Sequence, residues 1–216
     1  MAKLKVGVLI SGHGSNMAAL TQAAQASDYP AEIACVISNR ADAAGLETAR
    51  KAGISTEVIS HRDYPDRETF DRDVSAALER HRVELVALAG FMRIQSPWFP
   101  EHWSGRQINL HPSLLPAVPG LHVQRQALNA GVRLSGCTVH FVTPDLDAGP
   151  IIAQAAVPVL AGDTEETLSA RILRQEHRLY PLVLRWFAEG RVAVADGRVT
   201  VRDVSPGATL LFSPEP

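Results

Sequence analysis

The stretch Lys5-Val6-Gly7-Val8-Leu9-Ile10-Ser11-Gly12-His13-Gly14-Ser15-Asn16 joins a short apolar run to a glycine-rich turn. The run at residues 5–10 is almost continuously apolar, which is typical of a strand that is buried on both faces. Apolar residues then recur at helical spacing over residues 15–26. The stretch therefore predicts a strand, a tight turn and a helix, the repeating unit of a parallel α/β sheet.

The same alternation continues towards the middle of the chain. Further short apolar runs predict strands over residues 32–38, 56–59, 85–89 and 107–111. Helical spacing predicts helices over residues 43–52 and 67–81. Because strand–helix–strand connections are right-handed, these units predict a mostly parallel central sheet with helices on both faces.

Beyond residue 111 the pattern changes to a loop rich in proline. Pro112, Pro116, Pro119 and Gly120 fall within nine residues, which excludes a regular element there. Long irregular loops inside compact domains are usually functional. Two more strands are predicted over residues 137–143 and 151–159.

A long helix is predicted over residues 164–189, with Asp163 as its N-cap. A small hairpin over residues 192–201 should turn at Asp196-Gly197. The tail after Val204 shows no recognisable pattern, and its Leu210-Leu211-Phe212 is expected to pack on the body of the protein.

Composition places the chain among ordinary globular proteins. It has 216 residues, 46% of them hydrophobic, and a formal net charge of -2. We expect one domain over residues 1–216, with a core at about 4–190 and a C-terminal hairpin and tail at 191–216. The balanced charge disfavours a nucleic-acid partner, and no apolar run is long enough for a membrane span. Two distant cysteines and no export signal predict a cytoplasmic protein.

The glycine turn at residues 11–16 is the first candidate site, because backbone N–H groups at a helix start can hold an anion. A dinucleotide site would need a third glycine where Met17 stands, and the Gly-Lys-Ser/Thr of a P-loop is absent from the sequence. The pattern favours a site for a single phosphate, with Ser15 and Asn16 as further donors. A plain turn capped by Ser15 is the alternative.

The second candidate lies on the strand predicted over residues 107–111. Asn109 and His111 share one face of that strand, whereas Ile108 and Leu110 point to the other. They also lie at the carboxyl end of a parallel strand, where α/β sheets bind their ligands. An amide can donate to an oxyanion, and an imidazole can donate or accept a proton. A structural role for the lone histidine is the alternative.

Asp145 and Asp147 precede Gly149-Pro150 and form the third candidate. A carboxylate close to His111 would hold the imidazole in one tautomer and favour its charged form. A solvated turn would use the same residue types, and the spacing does not decide between the two.

Other polar residues give weaker signals. His122, His140 and His177 have no spacing typical of metal ligands, so no metal is expected. Glu176 and His177 are predicted on the polar face of the long helix. Arg67 begins a helix, where a cation opposes the dipole, which hints at a ligand contact.

Four motifs in one order are more specific than any single pattern. They are Ile10-Ser11-Gly12-His13-Gly14-Ser15-Asn16, Ala89-Gly90-Phe91-Met92-Arg93-Ile94, Asn109-Leu110-His111-Pro112-Ser113-Leu114-Leu115-Pro116 and Leu146-Asp147-Ala148-Gly149-Pro150. Together they closely resemble the phosphoribosylglycinamide formyltransferases, the folate-dependent transformylases of purine synthesis. The resemblance runs from about residue 5 to residue 190.

The resemblance implies a Rossmann-like formyltransferase fold. It also implies transfer of a formyl group from 10-formyltetrahydrofolate, as co-substrate, to the amino group of glycinamide ribonucleotide. Both partners are small molecules, and no metal, nucleic acid or membrane is implied. The enzyme would be a cytoplasmic monomer or homodimer.

Matched by position, the resemblance implies a catalytic trio of Asn109, His111 and Asp147. The residues implied in ribonucleotide binding are Gly14, Ser15, Asn16 and Glu176. Those implied in folate binding are Arg67, Met92, Arg93, Ile94, Gln95 and Asn109. The sequence departs from the family pattern at Gln95, where leucine is common, and at Val123-Gln124, where Thr-His is expected.

In the implied mechanism Asn109 and protonated His111 donate to the oxyanion, while Asp147 supports His111 and the proton transfer. A formyltetrahydrofolate hydrolase is an alternative, but it resembles this chain with a regulatory domain in front, and here the catalytic fold begins at residue 4. A methionyl-tRNA formyltransferase would need a C-terminal RNA-binding domain. A non-catalytic phosphate-binding module is the alternative from another class.

Overall fold

The computed structural model of the chain describes residues 2–205 and 213. Its strands are β1 (Leu4–Ile10), β2 (Ala31–Ser38), β3 (Ser55–Val58), β4 (Leu85–Leu88), β5 (Gln107–His111), β6 (Leu134–Phe141), β7 (Ile151–Pro158), β8 (Val192–Ala195) and β9 (Arg198–Val201). Its helices are α1 (Ser15–Ala24), α2 (Ala44–Lys51), α3 (Arg67–Arg80), α4 (Trp98–His102), α5 (Val123–Asn129) and α6 (Glu165–Ala188), and a 3₁₀ turn covers His61–Asp63.

The strands form a seven-stranded sheet and a separate hairpin. The order in the large sheet is β3-β2-β1-β4-β5-β6-β7. The pairs β1–β2, β1–β4, β2–β3 and β4–β5 are parallel, whereas β6–β7 is antiparallel. The predicted α/β class with a mostly parallel sheet is therefore confirmed.

By its internal contacts the chain divides into two compact units. The first unit is Met1–Asn109 with Phe141–Asp145, and the second is Leu110–His140 with Leu146–Pro216. The core of the first unit is built on strand residues such as Leu9 and Ile37, with Phe70 and Phe99 from the helices and Trp103 directly after α4. The expectation of one domain over the whole chain stays a prediction.

Strand order in the first unit creates a point where the chain reverses its direction of winding. It runs outward from β1 through β2 to β3 and then returns to β4, on the other side of β1. In such sheets right-handed crossovers place helices on opposite faces, and ligands bind at the carboxyl ends of the two central strands. The loops after β1 and β4 meet there, because Ser11 N–H donates to Gly90 O over 3.0 Å.

The predicted elements agree with the structure apart from their ends. The strand predicted over residues 107–111 is confirmed as β5, and the predicted helices differ from α1, α2, α3 and α6 by one or two residues at their ends. The strand predicted over 137–143 begins earlier, at Leu134, because β6 pairs with β7 from Leu134↔Pro158 onward.

Two short helices were not predicted from the sequence. Helix α4 contains Pro100, which signals a loop when it is read alone. Helix α5 begins directly after the proline-rich loop, at Val123, which is buried. Both helices are too short for helical periodicity to appear in the sequence.

The long helix α6 begins differently from the prediction. Its N-cap is Thr164, not Asp163, and Thr164 and Thr167 exchange hydrogen bonds in a capping box. The Asp163 carboxylate accepts two hydrogen bonds from Arg171, over 2.7 and 2.8 Å, and one from Leu160 N–H over 2.7 Å. Asp163 therefore links the loop that precedes α6 to Arg171 in the second turn of that helix.

We expect Asp163→Ala to lower the free energy of unfolding by about 1–3 kcal/mol, because the bidentate hydrogen bond to Arg171 is lost. The Arg171 guanidinium holds the pKa of the Asp163 carboxyl well below its usual range. Since the folded-state pKa is lowered, this contribution is complete above the ordinary value of 3.8 and is lost as the pH falls below it.

Denaturant unfolding at pH 7 and at low pH measures both effects. Glu47→Ala is the control, because Glu47 pairs with Lys51 on an exposed surface and its loss should change little. A difference between wild type and Asp163→Ala that stays constant from pH 7 to pH 2 would contradict the assignment.

The C-terminal hairpin is confirmed as β8–β9, with Val192 opposite Val201. The predicted packing of Leu210-Leu211-Phe212 lies outside the described residues. Across residues 2–205 and 213, no helix combines the length and the apolar character that a membrane span requires.

Candidate active site

The glycine loop, residues 11–15, connects β1 to α1 in the first unit. Gly14 adopts a left-handed conformation, with φ 70°, at the N-cap of α1. A side chain there would be strained, and a Cβ would lie 3.0 Å from the Cα of Gly45. Gly45 N–H also donates to Gly12 O over 3.1 Å. The backbone is therefore held close to the start of α2.

The start of α1 has the form of an anion site. Ser15 is the first helical residue and not the cap, so the predicted capping of the turn by Ser15 is wrong. In the described part of the chain no side chain caps this helix. Ser15 is exposed and Asn16 is half-buried. N–H groups of an uncapped first turn suit an anionic ligand.

The loop after β4, residues 90–96, contacts the glycine loop through one hydroxyl. Met92 N–H donates to Ser11 Oγ over 2.8 Å, and Ser11 Oγ donates to Asn39 Oδ1 over 2.6 Å. Asn39 Nδ2 lies 3.2 Å from His61 Nδ1. Ser11 and Asn39 are both buried. This network positions the backbone of Met92 relative to the glycine loop.

The side chains of the 90–96 loop are unusually exposed for apolar residues. Met92 is 68% exposed and Ile94 is 64% exposed. Between them, Arg93 has a buried Nε with no hydrogen-bond partner among the described residues. Exposed apolar side chains beside an unsatisfied cationic donor are suited to a ligand that is flat and partly polar.

A cavity of about 590 Å³ lies beside this loop in the first unit. Its lining includes Ser11, Asn39, Met92 and Arg93 of the network and loop just described. Arg40, Arg62 and His61 add cationic or titratable side chains to it. The volume is that of a small-molecule site, and the three arginines of the lining outnumber the one carboxylate, Asp42, which pairs with Arg40 over 2.7 Å.

His111 and Asp147 form a buried pair in the second unit. His111 Nδ1 lies 3.5 Å from Asp147 Oδ2, and the two side chains are 6% and 8% exposed. Asp147 Oδ2 also accepts from Gly120 N–H over 2.9 Å. His140 Nε2 lies 3.9 Å from the other oxygen, Oδ1. The Asp147 carboxylate therefore lies between two imidazoles.

The other nitrogen of His111 contacts the proline-rich loop. His111 Nε2 lies 3.0 Å from Val118 O, so this nitrogen carries a proton that it donates to the carbonyl. Ser113 Oγ donates to the same oxygen over 2.5 Å. The Nε2 proton reaches a substrate oxygen only where that oxygen replaces Val118 O.

The beginning of the proline-rich loop is anchored to β6 and β7. Thr138 Oγ1 accepts from Leu115 N–H over 3.0 Å and donates to Ser113 O over 2.7 Å. Gln154 Nε2 donates to Leu115 O over 2.8 Å. Thr138 is completely buried. This network fixes the chain immediately after His111.

Comparison with known proteins gives one consistent answer. A family model described as "Formyl transferase" matches residues 4–184. The chain is 49% identical to the phosphoribosylglycinamide formyltransferase of Escherichia coli, over 88% of this chain and 89% of that protein. A crystal structure of glycinamide ribonucleotide transformylase 1 from Symbiobacterium toebii superposes with a TM-score of 0.91, at 50% identity over 93% and 95% of the two chains.

The chain belongs to the formyl transferase family. A formyltetrahydrofolate deformylase from Pseudomonas syringae is a more distant relative, at 31% identity and a TM-score of 0.82, and the chain covers 66% of it. The predicted Rossmann-like formyltransferase fold is confirmed by the match to the transformylase structure.

The site residues predicted for this formyl transferase fall in both units. The first unit contains Gly14, Ser15, Asn16, Arg67, Met92, Arg93, Ile94, Gln95 and Asn109. The second contains His111, Asp147 and Glu176. The structure brings His111 and Asp147 into contact. This contact is the one expected if Asp147 supports His111, and not if Asp147 lies in a solvated turn. The catalytic and binding roles stay predictions.

Glu176 corrects one expectation about helix α6. It was predicted on the polar face, but the structure buries it. Burial raises the pKa of the Cys137 thiol to about 12, and the nearby Glu176 carboxylate adds to this effect. A buried carboxylate in a helix is a stronger candidate for a ligand contact than a solvated one.

The structure accommodates the two departures from the family pattern, at Gln95 and at Val123-Gln124. Gln95 Oε1 accepts from Gln107 Nε2 over 2.8 Å, so a polar residue at 95 meets a polar partner on β5. Val123 is buried in the first turn of α5. Neither position disrupts the local backbone.

Sequence reasoning missed Asp71 and Asn39, included Ser11 only as part of the glycine turn, and considered His140 only as a metal ligand. Asp71 carried one usable signal, because it stands between Phe70 and Val74 on the apolar face of α3. Asn39 has a short polar side chain at a strand end, which carries no such signal. Among the described residues no group of three or more His, Cys, Asp and Glu side chains could hold a metal ion.

Proposed function

We propose that this formyl transferase moves a formyl group from 10-formyltetrahydrofolate to the amino group of glycinamide ribonucleotide, in purine biosynthesis. The observation that carries the proposal is the buried His111–Asp147 pair at the end of β5, at 3.5 Å. A carboxylate that costs free energy to bury is typical of a site that moves protons.

The reaction requires two kinds of assistance. The ribonucleotide amine attacks the formyl carbon, and the carbonyl oxygen becomes an oxyanion in a tetrahedral intermediate. Asn109 donates from its amide, and protonated His111 donates from Nε2 in place of its bond to Val118 O. Asp147 stabilises the imidazolium.

Collapse of the intermediate breaks the bond from the formyl carbon to the folate nitrogen N10. The attacking amine must lose a proton, and N10 must gain one. Asp147 and His111 assist this transfer, because both are buried and are held close together. The products are formylglycinamide ribonucleotide and tetrahydrofolate.

The ribonucleotide is held by groups from two elements. Its phosphate binds to Gly14, Ser15 and Asn16 at the uncapped start of α1. Glu176 accepts hydrogen bonds from the ribose hydroxyls or the glycinamide nitrogen. A single phosphate agrees with a glycine loop that lacks the dinucleotide and P-loop patterns.

The folate is held by the 90–96 loop, with Arg67 and Asn109. Main-chain groups of Met92, Arg93, Ile94 and Gln95 read the edge of the pterin, while the exposed Met92 and Ile94 side chains offer apolar surface. Arg67 is suited to a folate carboxylate. We place the enzyme in the cytoplasm, as a monomer or homodimer that needs no metal.

Release of the deformylated folate, followed by absorbance, tests the proposal. We expect release with purified protein and 10-formyltetrahydrofolate only when glycinamide ribonucleotide is present. Release at the same rate without the ribonucleotide would indicate a hydrolase. No release under either condition, with the ribonucleotide still binding, would indicate a non-catalytic module.

A further inference from the structure

Asp71 is a buried carboxylate that no part of the proposed mechanism uses. It lies on α3, is 2% exposed, and points its Oδ2 at Ser96. Ser96 N–H donates to this oxygen over 2.6 Å, and Ser96 Oγ donates to it over 2.7 Å. Both hydrogen bonds are short, as expected for an ionised acceptor.

These two bonds fix the end of the 90–96 loop. Its beginning is fixed separately, since Met92 N–H donates to Ser11 Oγ. The residues between these two anchors include Arg93, Ile94 and Gln95, which are the proposed pterin readers. Asp71 is therefore positioned to set the conformation of that backbone.

Asp71 lies on the same helix as Arg67, a residue of the predicted folate set. Arg67 precedes it by four residues on α3, which places both on one face of the helix. Burial raises the pKa of the Asp71 carboxyl above its usual value, and the Ser96 hydrogen bonds and the charges of Arg67 and Arg93 offset this only in part.

We propose that Asp71 is a positioning residue for the folate co-substrate, holding the 90–96 loop through its two hydrogen bonds from Ser96. The inference rests on the proposed function. It assigns no contact between Asp71 and substrate, because the carboxylate is buried beneath the loop.

If Asp71 had only a structural role, we would expect its hydrogen bonds to hold helix α3 in place. The neighbouring part of α3 is already held by packing of Phe70 and Val74 in the core. Trp103 Nε1 donates to Ser75 Oγ over 3.1 Å and joins α3 to α4 without Asp71. A carboxylate is costly to bury, and here its hydrogen bonds serve the loop and not the helix.

The test is steady-state kinetics of Asp71→Asn, in which the amide oxygen can still accept from Ser96 but the charge is lost. We expect the KM for 10-formyltetrahydrofolate to rise about tenfold, because a neutral amide oxygen accepts the two Ser96 hydrogen bonds more weakly than a carboxylate does and the loop is held less firmly. The KM for glycinamide ribonucleotide and the kcat at saturating folate should stay within about twofold. Asp71→Ala should raise the folate KM further.

Glu68→Gln is the matched control, since it removes an exposed carboxylate one turn earlier on α3, where Glu68 pairs with Arg72. It should leave both KM values unchanged. Melting temperatures identify Asp71 variants that fail to fold. In that case Ser96→Ala is measured in their place, and we expect it to raise the folate KM by a smaller factor.

An unchanged folate KM in a folded Asp71→Asn or Ser96→Ala variant would overturn the inference. Equal rises in both KM values would do the same, because they would indicate general loosening of the fold. A wild-type protein with no ribonucleotide-dependent release would instead defeat the proposed function. The two failures are therefore distinguishable.

Discussion

Asp147→Asn should lower kcat about 10²–10⁴-fold, with little change in the KM for glycinamide ribonucleotide. The amide oxygen can take the place of Oδ2 and keep the bond from Gly120 N–H, so the loop stays anchored. What is lost is the negative charge at 3.5 Å from His111 Nδ1. Without it the imidazolium that donates to the oxyanion is no longer stabilised.

Asp145→Asn is the matched control, because it removes the other carboxylate of the same sequence motif. Asp145 is exposed, whereas the Asp147 side chain is only 8% exposed. Single-turnover rates with both substrates saturating separate chemistry from product release. If Asp147→Asn and Asp145→Asn were equally active, the proposed role of Asp147 would have to be abandoned.

Much of the fold was predictable because the strands are short and apolar. Five short apolar runs between residues 5 and 111 alternate with longer segments of helical period, and this contrast in length and pattern distinguishes the strands from the helices. The N-cap of α6 was not predictable in this way, since Asp163 and Thr164 are both good caps. The choice of Thr164 depends on Arg171, which lies two turns along the helix and binds Asp163.

The candidate site was predictable where it depends on local geometry. Alternation along β5 places Asn109 and His111 on one face, and the glycine pattern marks the start of α1. Contacts between distant segments were not predictable, because no rule of spacing joins residue 111 to residue 147. The four-motif resemblance supplied that pairing, and the structure confirms the contact.

Backbone partners were beyond any sequence argument. Val118 enters the site through its carbonyl oxygen and Gly120 through its N–H. Every residue except proline carries both groups, so neither position is marked in the sequence. The proline content predicted an irregular loop, but which of its peptide groups face His111 and Asp147 depends on the tertiary fold.

Asn109→Ala should lower kcat about 10²–10³-fold, which is the usual loss when one oxyanion donor is removed. Asn109 is half-buried on β5, between the buried Ile108 and Leu110, so truncation should leave the strand in place. Because the amide serves the intermediate more than the ground state, the KM for the ribonucleotide should change only modestly. Steady-state kinetics with each substrate varied in turn measures both quantities.

The Asn109→Asp variant tests whether the side chain acts as a hydrogen-bond donor or only through its size. It keeps the size of the side chain but replaces an N–H donor with a charged acceptor, so it should be at least as slow as Asn109→Ala. Asn129→Ala, at the exposed end of α5, is the control for loss of an amide elsewhere. A near-normal rate for Asn109→Ala would remove Asn109 from the oxyanion site and leave His111 as the proposed donor.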